Sequence, residues 1–306
     1  MALEPAFDDF AARFSAGENQ IVYTRLAADL DTPVSLMLKL TGAKADAFML
    51  ESVTGGEVRG RYSIIGMKPD LIWECRGKTA RLNRTARYDR QAFVDETSDP
   101  LASLRALIAE SRIALPTDLP AASAGLFGYL GYDMIRLVEY FLDINPDPFG
   151  LPDAVMVRPS VIAVLDGVKG EVIVVAPAWA TSGLEPRAAY AQAAERVMDA
   201  VRDLERPVAT GGRDLGAEAF EAPEPVSNFS KTDYFAAVEK ARDYIRAGDI
   251  FQVVPSQRWS QPFPLPPFAL YRSLRRTNPS PFMFHFDFDG FQVIGASPEI
   301  LVRVFD

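Results

Sequence analysis

Two hairpin-like segments constrain the fold of this chain more than any other feature of its sequence. Residues 160–177 read SVIAVLDGVKGEVIVVAP, and residues 282–296 read FMFHFDFDGFQVIGA. Each contains two runs rich in β-branched or aromatic residues around a short connection with glycine, which is typical of a β-hairpin. The Asp289-Gly290 pair in the second segment is a common turn dipeptide. The chain is therefore predicted to contain antiparallel β-sheet.

Amphipathic segments lie between the predicted strands. Residues 99–111 carry leucine or isoleucine at positions 101, 104, 107 and 108, and residues 230–249 carry apolar side chains at 235, 238, 241 and 245. Both spacings indicate one face of an α-helix. Ser230 is a suitable N-cap for the second helix, and Gly248 is a suitable C-terminal stop. The predicted fold class is α+β, with mostly antiparallel sheets and helices packed outside them.

Three more segments have a predicted conformation. Residues 248–259 (GDIFQVVPSQRW) read as a strand, although Pro255 removes a ladder donor and so implies an edge or a bulge. Residues 300–304 (ILVRV) read as a strand as well. Residues 125–133 (GLFGYLGYD) have glycines three apart, which fits no phosphate-binding loop. They predict a strand or turn where two backbones approach closely.

Composition narrows the class of protein. The 306 residues are enough for about two domains, and the 48% hydrophobic and 24% charged residues are ordinary for a globular protein. A net charge of −9 argues against a nucleic-acid partner, because no excess of basic residues offsets phosphate charge. No apolar run approaches the roughly 20 residues that span a bilayer. The N-terminus is acidic where a signal peptide is basic. These features predict a cytoplasmic protein without a membrane partner.

A single cysteine and a single histidine limit the chemistry. Cys75 alone allows no internal disulfide and no thiolate metal cluster. His285 alone allows no multi-histidine metal site. Its setting, FMFHFDF, has the alternation of a strand, so we expect His285 to be a strand residue without a catalytic role.

A change in composition divides the chain. Residues 206–228 lose periodicity and gather proline, glycine and acids, which predicts a linker. We therefore predict an N-terminal α+β region at 1–205 and the beginning of a second domain at 229–306. The apolar strands of this second region need cover on both faces, which predicts that its domain is incomplete. The alternative is that its last strand is an edge.

Four segments carry a resemblance to a known family. Residues 49–66 (MLESVTGGEVRGRYSIIG), 125–133, 248–258 and 278–304 resemble, in order, the matching segments of anthranilate synthase component I, the large subunit among the chorismate-utilising enzymes. The resemblance implies an interleaved two-domain architecture. It also implies conversion of chorismate and ammonia to anthranilate and pyruvate, the first committed step of tryptophan biosynthesis, with feedback inhibition by L-tryptophan.

The resemblance covers the N-terminal region and the beginning of the chorismate-binding domain. It implies that the parent enzyme uses Mg²⁺, whose ligands lie beyond residue 306, together with the acid/base groups of the reaction. We therefore expect no metal site within this chain and no turnover from it alone. Ammonia is expected from glutamine through a partner, a glutamine amidotransferase subunit (component II), because this chain has no G-x-C-x-G nucleophile segment.

Gln252 is the candidate catalytic residue of this chain. In the family, the segment around it lines the site near the chorismate carbon that receives the nucleophile. Relatives that add water carry a lysine there as a base. An amide does not titrate near neutral pH, so Gln252 can position ammonia while giving water no base. The alternative is a glutamine that satisfies backbone groups at a strand edge.

A second set of residues resembles the family's inhibitor site for L-tryptophan. Its candidate members are Glu51, Ser52, Arg61, Tyr62, Pro281 and Met283. In this interpretation Glu51 accepts hydrogen bonds from the ligand ammonium, and Pro281 and Met283 line a slot for the indole. The alternative is that Glu51 is a surface strand residue and Met283 is part of the core.

Two alternative functions remain open at this point. The parent enzyme could be aminodeoxychorismate synthase component I of folate synthesis, which shares the glutamine and the ammonia chemistry. The Met283-Phe284 pair after Asn278-Pro-Ser-Pro favours anthranilate synthase, whereas Phe282 departs mildly from a tyrosine. An alternative of another class is a tryptophan-binding regulatory module without catalysis.

Overall fold

The computed structural model describes residues 2–42, 45–53, 60–141, 146–208 and 223–304. The chain divides into two compact units. The first unit comprises Met1–Ala209 and Pro267–Asp306, and the second comprises Thr210–Pro266. Each unit is described by itself below. Most of the predicted linker lies outside the described residues, so the predicted domain boundaries stay a prediction.

The described residues contain twelve strands. They are β1 (Gln20–Ala27), β2 (Ala47–Glu51), β3 (Tyr62–Arg76), β4 (Thr79–Asn83), β5 (Val94–Asp95), β6 (Phe127–Leu130), β7 (Ala154–Asp166), β8 (Glu171–Ala178), β9 (Val226–Ser227), β10 (Trp259–Ser260), β11 (Phe282–Asp287) and β12 (Gln292–Ser297). Ten of them form one sheet in the first unit, ordered β1-β8-β7-β3-β2-β11-β12, with β4 and β6 added to β3 and β7 and β5 added to β4. Every pairing in it is antiparallel.

Six α-helices accompany these strands in the part of the chain that the structure describes. They are α1 (Phe7–Ser15), α2 (Pro33–Thr41), α3 (Pro100–Glu110), α4 (Pro186–Glu205), α5 (Lys231–Ala247) and α6 (Pro267–Thr277). Local chemistry sets their ends. The Thr32 hydroxyl accepts a hydrogen bond from the Ser35 N–H, and the Asp99 carboxylate caps α3. The predicted helices at 99–111 and 230–249 are confirmed.

The sheet of the first unit has an apolar core on both faces. Helices α1, α2, α4 and α6 cover one face, where Phe10, Leu36 and Tyr271 are buried. Helix α3 covers part of the other face, where the buried Trp73 indole N–H donates to the Ser103 hydroxyl over 3.0 Å. Strands β7 and β8 are buried almost throughout, because they lie inside the sheet with side chains on both covered faces. The predicted α+β class is confirmed.

The two predicted hairpins are present. Strands β7 and β8 pair from Ile162 opposite Val175 to the tight connection. Strands β11 and β12 join through Asp289 and Gly290, both with positive φ, 54° and 108°. A two-residue turn with positive φ at both positions matches the right-handed twist of the two strands it joins. Asp and Gly tolerate positive φ, which is why an Asp-Gly pair predicts this turn.

The glycine-rich segment at 125–133 also behaves as predicted. Strand β6 runs against β7 so closely that a Cβ on Gly128 would lie 1.9 Å from the Val155 carbonyl oxygen. A Cβ on Gly131 would lie 2.7 Å from the Asp153 carbonyl oxygen. Only glycine fits these two positions, because any side chain would collide with backbone that cannot move aside.

The second unit contains α5 and a two-stranded ribbon of β9 and β10. The Ser230 hydroxyl accepts the Asp233 N–H over 3.1 Å, and Gly248 ends the helix with a φ of 82°. The predicted strand at 248–259 is wrong, because residues 249–258 are irregular and only Trp259 begins a pairing. A strand forms only where a neighbour supplies ladder partners, and among the described residues the backbone directly after β9 reaches this segment only at its end, where the Asn228 N–H donates to the Arg258 carbonyl at 3.0 Å.

The predicted strand at 300–304 is wrong for the same reason. These residues are exposed, Leu301 is 97% accessible, and no described strand pairs with them. The hydrophobic pattern of a segment indicates which side chains it could bury. A β-strand also needs hydrogen bonds to the backbone of a neighbouring strand, which the pattern does not indicate.

Of the helices described, none is both long and apolar enough to cross a membrane.

Candidate functional site

The pairing of β2 with β11 brings two distant sequence segments together. Glu51 lies directly opposite Met283, and Leu50 lies opposite Phe284. Beyond the end of β2 the contact continues, since the Val53 N–H donates to the Ser280 carbonyl over 3.1 Å. The Leu-Glu-Ser segment and the Asn-Pro-Ser-Pro segment are therefore neighbours in the first unit.

Glu51 is a buried carboxylate held by helix α6. The residue is 5% exposed, and its Oε1 accepts hydrogen bonds from the Tyr271 hydroxyl at 2.5 Å and from the Arg275 Nε at 2.6 Å. Tyr271 and Arg275 are four residues apart, so one face of α6 presents both donors. Both bonds reach the same oxygen, and Oε2 accepts no hydrogen bond from any described residue.

This arrangement fixes the charge state of the two donors. Burial raises the pKa of Tyr271, and the negative charge of Glu51 raises it further, so the phenol stays protonated. The hydrogen bond with Glu51 raises the pKa of Arg275 against the opposing effect of burial. A carboxylate and a guanidinium thus form an ion pair at the end of β2, where the arginine side chain is 32% exposed and the glutamate is 2% exposed. Such a site can accept one more hydrogen bond at Oε2.

The second segment is anchored next to this carboxylate. Ser280 is buried, its hydroxyl donates to the Ser297 carbonyl oxygen, and Pro281 is half-buried beside it. Met283 is 1% exposed and belongs to the core below the sheet. Met283 is therefore a buried core residue next to Glu51, whereas the Pro281 side chain is partly accessible to solvent.

Tyr62 begins β3 and Arg61 directly precedes it, at the same end of the sheet as Glu51, because Ser63 pairs with Glu51. The Arg61 guanidinium is committed to Asp166, to which its Nε donates at 3.0 Å and its Nη2 at 2.7 Å. It also lies over the Tyr62 ring, 4.9 Å from the centroid. Burial opposes ionisation of Asp166, but the bonds from Arg61 and the backbone lower the pKa of Asp166 overall.

The remaining predicted site residues differ in their surroundings. Ser52 follows Glu51 directly and is half-buried. Gln252 belongs to the second unit, where it is exposed on the irregular segment. The glycine-rich stretch at 54–59, between Ser52 and Arg61, lies outside the described residues.

The sequence interpretation missed Tyr271 and Arg275. Both lie on α6, and neither belongs to a segment that carried the resemblance. A tyrosine and an arginine four apart on an amphipathic helix were the available signal. That signal does not identify which carboxylate the helix meets.

His285 lies on the same face of β11 as Met283 and packs against α6. Its ring meets the edges of Phe268 and Tyr271 at centroid distances of 5.2 and 6.0 Å. Both ring nitrogens are buried, and neither has a hydrogen-bond partner among the described residues. Burial lowers the pKa of His285 to about 4, although the Gln292 side chain opposes the shift. The imidazole is therefore neutral at physiological pH.

The described residues do not fit a metal centre. None of them form a group of three or more His, Cys, Asp or Glu side chains that could hold an ion. Cys75 is buried in β3, and burial raises the pKa of its thiol to about 11, so it is not a thiolate ligand.

Comparison with known proteins gives a consistent set of matches. Residues 68–306 match the family model described as chorismate binding enzyme. The chain is 71% identical over 301 residues to anthranilate synthase component 1 of Cereibacter sphaeroides, covering 98% of this chain and 60% of that protein. It is 38% identical over 308 residues to the protein of the same name from Pseudomonas aeruginosa, with the same coverage.

A solved structure matches as well. The crystal structure of anthranilate synthase component I from Streptococcus pneumoniae superimposes with a TM-score of 0.64 at 28% identity, covering 79% of this chain and 51% of that one. The chain spans about 60% of the length of the curated relatives it matches.

Proposed function

Because the chain belongs to the family of chorismate binding enzymes, we propose that its protein acts as component I of an anthranilate synthase. In this proposal it converts chorismate and ammonia to anthranilate and pyruvate. The observation that carries the proposal is the 71% identity, over 98% of this chain, to a protein of that name. The predicted resemblance to anthranilate synthase component I is confirmed by the same match.

The site at the end of β2 is proposed to bind L-tryptophan as a feedback inhibitor. An amino-acid ligand brings an ammonium group that needs an acceptor, and Oε2 of the buried Glu51, which no described residue uses, supplies one. Ser52 follows Glu51 in the chain, and Pro281 lies two residues before Met283, the partner of Glu51 across the strand pair. Met283 supports the site from below as a packed side chain.

Arg61 and Tyr62 have an indirect role in this proposal. They are held at the same end of the sheet by the bond between Arg61 and Asp166. With the guanidinium engaged, the apolar ring of Tyr62 is the part that can border an indole. Their contribution is therefore shape at the rim of the site and not a charge contact with the ligand.

Gln252 is proposed to position ammonia for attack on the chorismate ring. Its amide can donate to and accept from ammonia, but it cannot remove a proton from water near neutral pH. Ammonia would come from a glutamine amidotransferase subunit as partner. The Mg²⁺ requirement and the cytoplasmic location stay predictions from the sequence.

Product analysis of the full-length protein tests the proposal. Chorismate and an ammonium salt are supplied, and the products are separated by chromatography with fluorescence detection of anthranilate. Formation of anthranilate and pyruvate in equal amounts is the expected result. Accumulation of 4-amino-4-deoxychorismate without pyruvate would instead assign the enzyme to folate synthesis. L-Tryptophan is added in a parallel reaction, where the expected result is inhibition.

A further inference from the structure

A second pocket lies in the first unit, away from the strand pair that carries Glu51. It has a volume of about 340 Å³, and its walls are the loop after β4, the segment after β8 and one face of α4. We call it the arginine pocket. Its polar lining includes Arg84, Thr85, Arg87, Ser182, Gln192 and Arg196. The volume is within the range of small-molecule sites.

The carboxylates at this pocket are already neutralised. Asp70, which lines the pocket, accepts hydrogen bonds from the Arg158 Nε at 2.8 Å and from the Trp179 Nε1 at 2.5 Å. Glu110 accepts hydrogen bonds from both terminal nitrogens of Arg84 at 2.8 Å and from Nη1 of Arg158 at 3.1 Å. Two arginines thus balance two acids, and neither acid has an oxygen left for another cation.

Two further guanidinium groups at the pocket have no anion. Arg87 is exposed and makes no hydrogen bond or ion pair with any described residue. Arg196 donates from Nη2 to the Pro177 carbonyl at 2.6 Å, but its Nε is buried without an acceptor among the described residues. Burial lowers the pKa of Arg196, and the positive charge of Arg87 lowers it further, whereas the negative charges of Asp70 and Glu195 oppose the shift. A buried guanidinium N–H without an acceptor is costly, and a ligand oxygen that accepts from the Arg196 Nε would remove that cost.

The loop that carries Arg87 is held in place from within. The side chain of Asn83 is fully buried, and its Nδ2 donates to the Asp89 carbonyl at 2.8 Å. Its Oδ1 accepts the Thr85 N–H at 2.9 Å. The two ends of the turn are thus tied together, so presenting Arg87 to a ligand costs little ordering of the backbone.

We propose that the arginine pocket binds a small phosphate-bearing dianion. Two unpaired guanidinium groups supply two positive charges and forked N–H donors, which match the geometry of phosphate oxygens. The hydroxyl of Ser182 and the amide of Gln192 add donors to the same space. The site is independent of the proposed chorismate chemistry, which none of its residues serve.

Calorimetric titration at constant ionic strength tests this site. Inorganic phosphate and glycerol 3-phosphate are the probes, and sodium chloride replaces them in the reference titration. Both probes are expected to bind above the chloride background. Tighter binding of the ester assigns an esterified ligand, and tighter binding of the free ion assigns inorganic phosphate. An absence of heat beyond chloride for both probes would overturn the proposal.

Single substitutions distinguish binding in the arginine pocket from non-specific attraction of anions to positive charges elsewhere on the protein. Arg87→Gln and Arg196→Gln should each weaken binding roughly tenfold or more, as expected for one lost charge-assisted contact. Arg202→Gln is the matched control. Arg202 lies on helix α4 like Arg196, but it forms an ion pair with Asp199 on the surface of the helix. The control variant should leave the dissociation constant unchanged.

The exposed position of Arg87 keeps the test decisive. Its substitution removes no hydrogen bond or ion pair with any described residue, so Arg87→Gln should melt like the original protein even where Arg196→Gln does not. If Arg87→Gln and Arg202→Gln bind the probes equally well, the assignment of the arginine pocket is wrong.

Discussion

The Glu51 carboxylate and the Arg275 guanidinium form an ion pair over 2.6 Å that joins strand β2 to helix α6. The acid is almost fully buried and the base is about one-third exposed. The pair therefore fixes the helix against the sheet at the place where two sequence segments meet. Both hydrogen bonds reach Oε1, and the absence of a described donor at Oε2 is the basis of the proposed inhibitor site.

Glu51→Gln should lower the free energy of unfolding by about 1–2 kcal/mol. The amide keeps the shape but leaves Arg275 and the Tyr271 hydroxyl without a charged acceptor, and partial solvation of Arg275 limits the loss. Urea denaturation measures the change. Asp199→Asn, which removes the acid of an exposed pair on α4, is the control and should lose less than about 0.5 kcal/mol. Equal losses in the two variants would show that the buried pair is not stabilising.

L-Tryptophan should raise the melting temperature, and L-phenylalanine should not. A ligand at 100 times its dissociation constant stabilises the native state by about 2.7 kcal/mol. The shift should disappear in Glu51→Gln, because the ammonium loses its anionic acceptor, and persist in Asp199→Asn. A tryptophan response that survives in Glu51→Gln would exclude Glu51 from the inhibitor site.

His285 should make stability depend on pH below neutrality. Its folded pKa of about 4 lies below the ordinary value of 6.5, so the unfolded state binds the proton more readily. The contribution is fully present above pH 6.5 and is lost as the pH falls to about 4, up to about 3 kcal/mol. Urea denaturation at several pH values measures it.

The control for this prediction is His285→Phe, which keeps an aromatic ring among Phe268 and Tyr271. Carboxylates also titrate at low pH, so the decisive quantity is the difference between the two proteins. That difference should grow steadily in favour of the phenylalanine variant as the pH drops. A constant difference from pH 7 to pH 4 would contradict a buried neutral imidazole.

Gly128→Ala should be severely destabilising, by roughly 2–4 kcal/mol or more, because the new methyl group would overlap the Val155 carbonyl oxygen. The backbone of β7 at this point is paired on both sides and cannot retreat. Leu130→Ala, at a half-exposed position of the same strand, is the control and should cost less. Thermal melts compare them, and a smaller loss for the glycine variant would refute the close approach.

Cys75 should react with thiol reagents only after unfolding. It is buried in β3, and a pKa of about 11 leaves almost no thiolate at pH 8. Absorbance with a chromogenic disulfide reagent should show slow labelling of the native protein and rapid labelling of one thiol in urea. Rapid labelling without denaturant would show that β3 opens locally.

Local chemistry in the sequence was sufficient for many elements of this protein. Helices α3 and α5 follow from apolar spacing and caps, and the β11–β12 hairpin follows from the Asp-Gly turn. The glycines of β6 predicted a close backbone approach before any neighbour was known. The helices and the hairpin depend on residues within one turn of helix or across one short turn, so the sequence contains their whole cause.

Only the tertiary structure decided the features that join distant residues. The sheet order places β2 between β3 and β11, and no local pattern ranks one neighbour above another. The predicted strand at 248–259 failed because ladder partners come from elsewhere in the chain. The Glu51–Arg275 pair and the unpaired Arg87 and Arg196 arise in the same way. Charge balance at a buried site depends on which side chains the fold brings within a few ångströms, and the sequence determines that only through the whole packing.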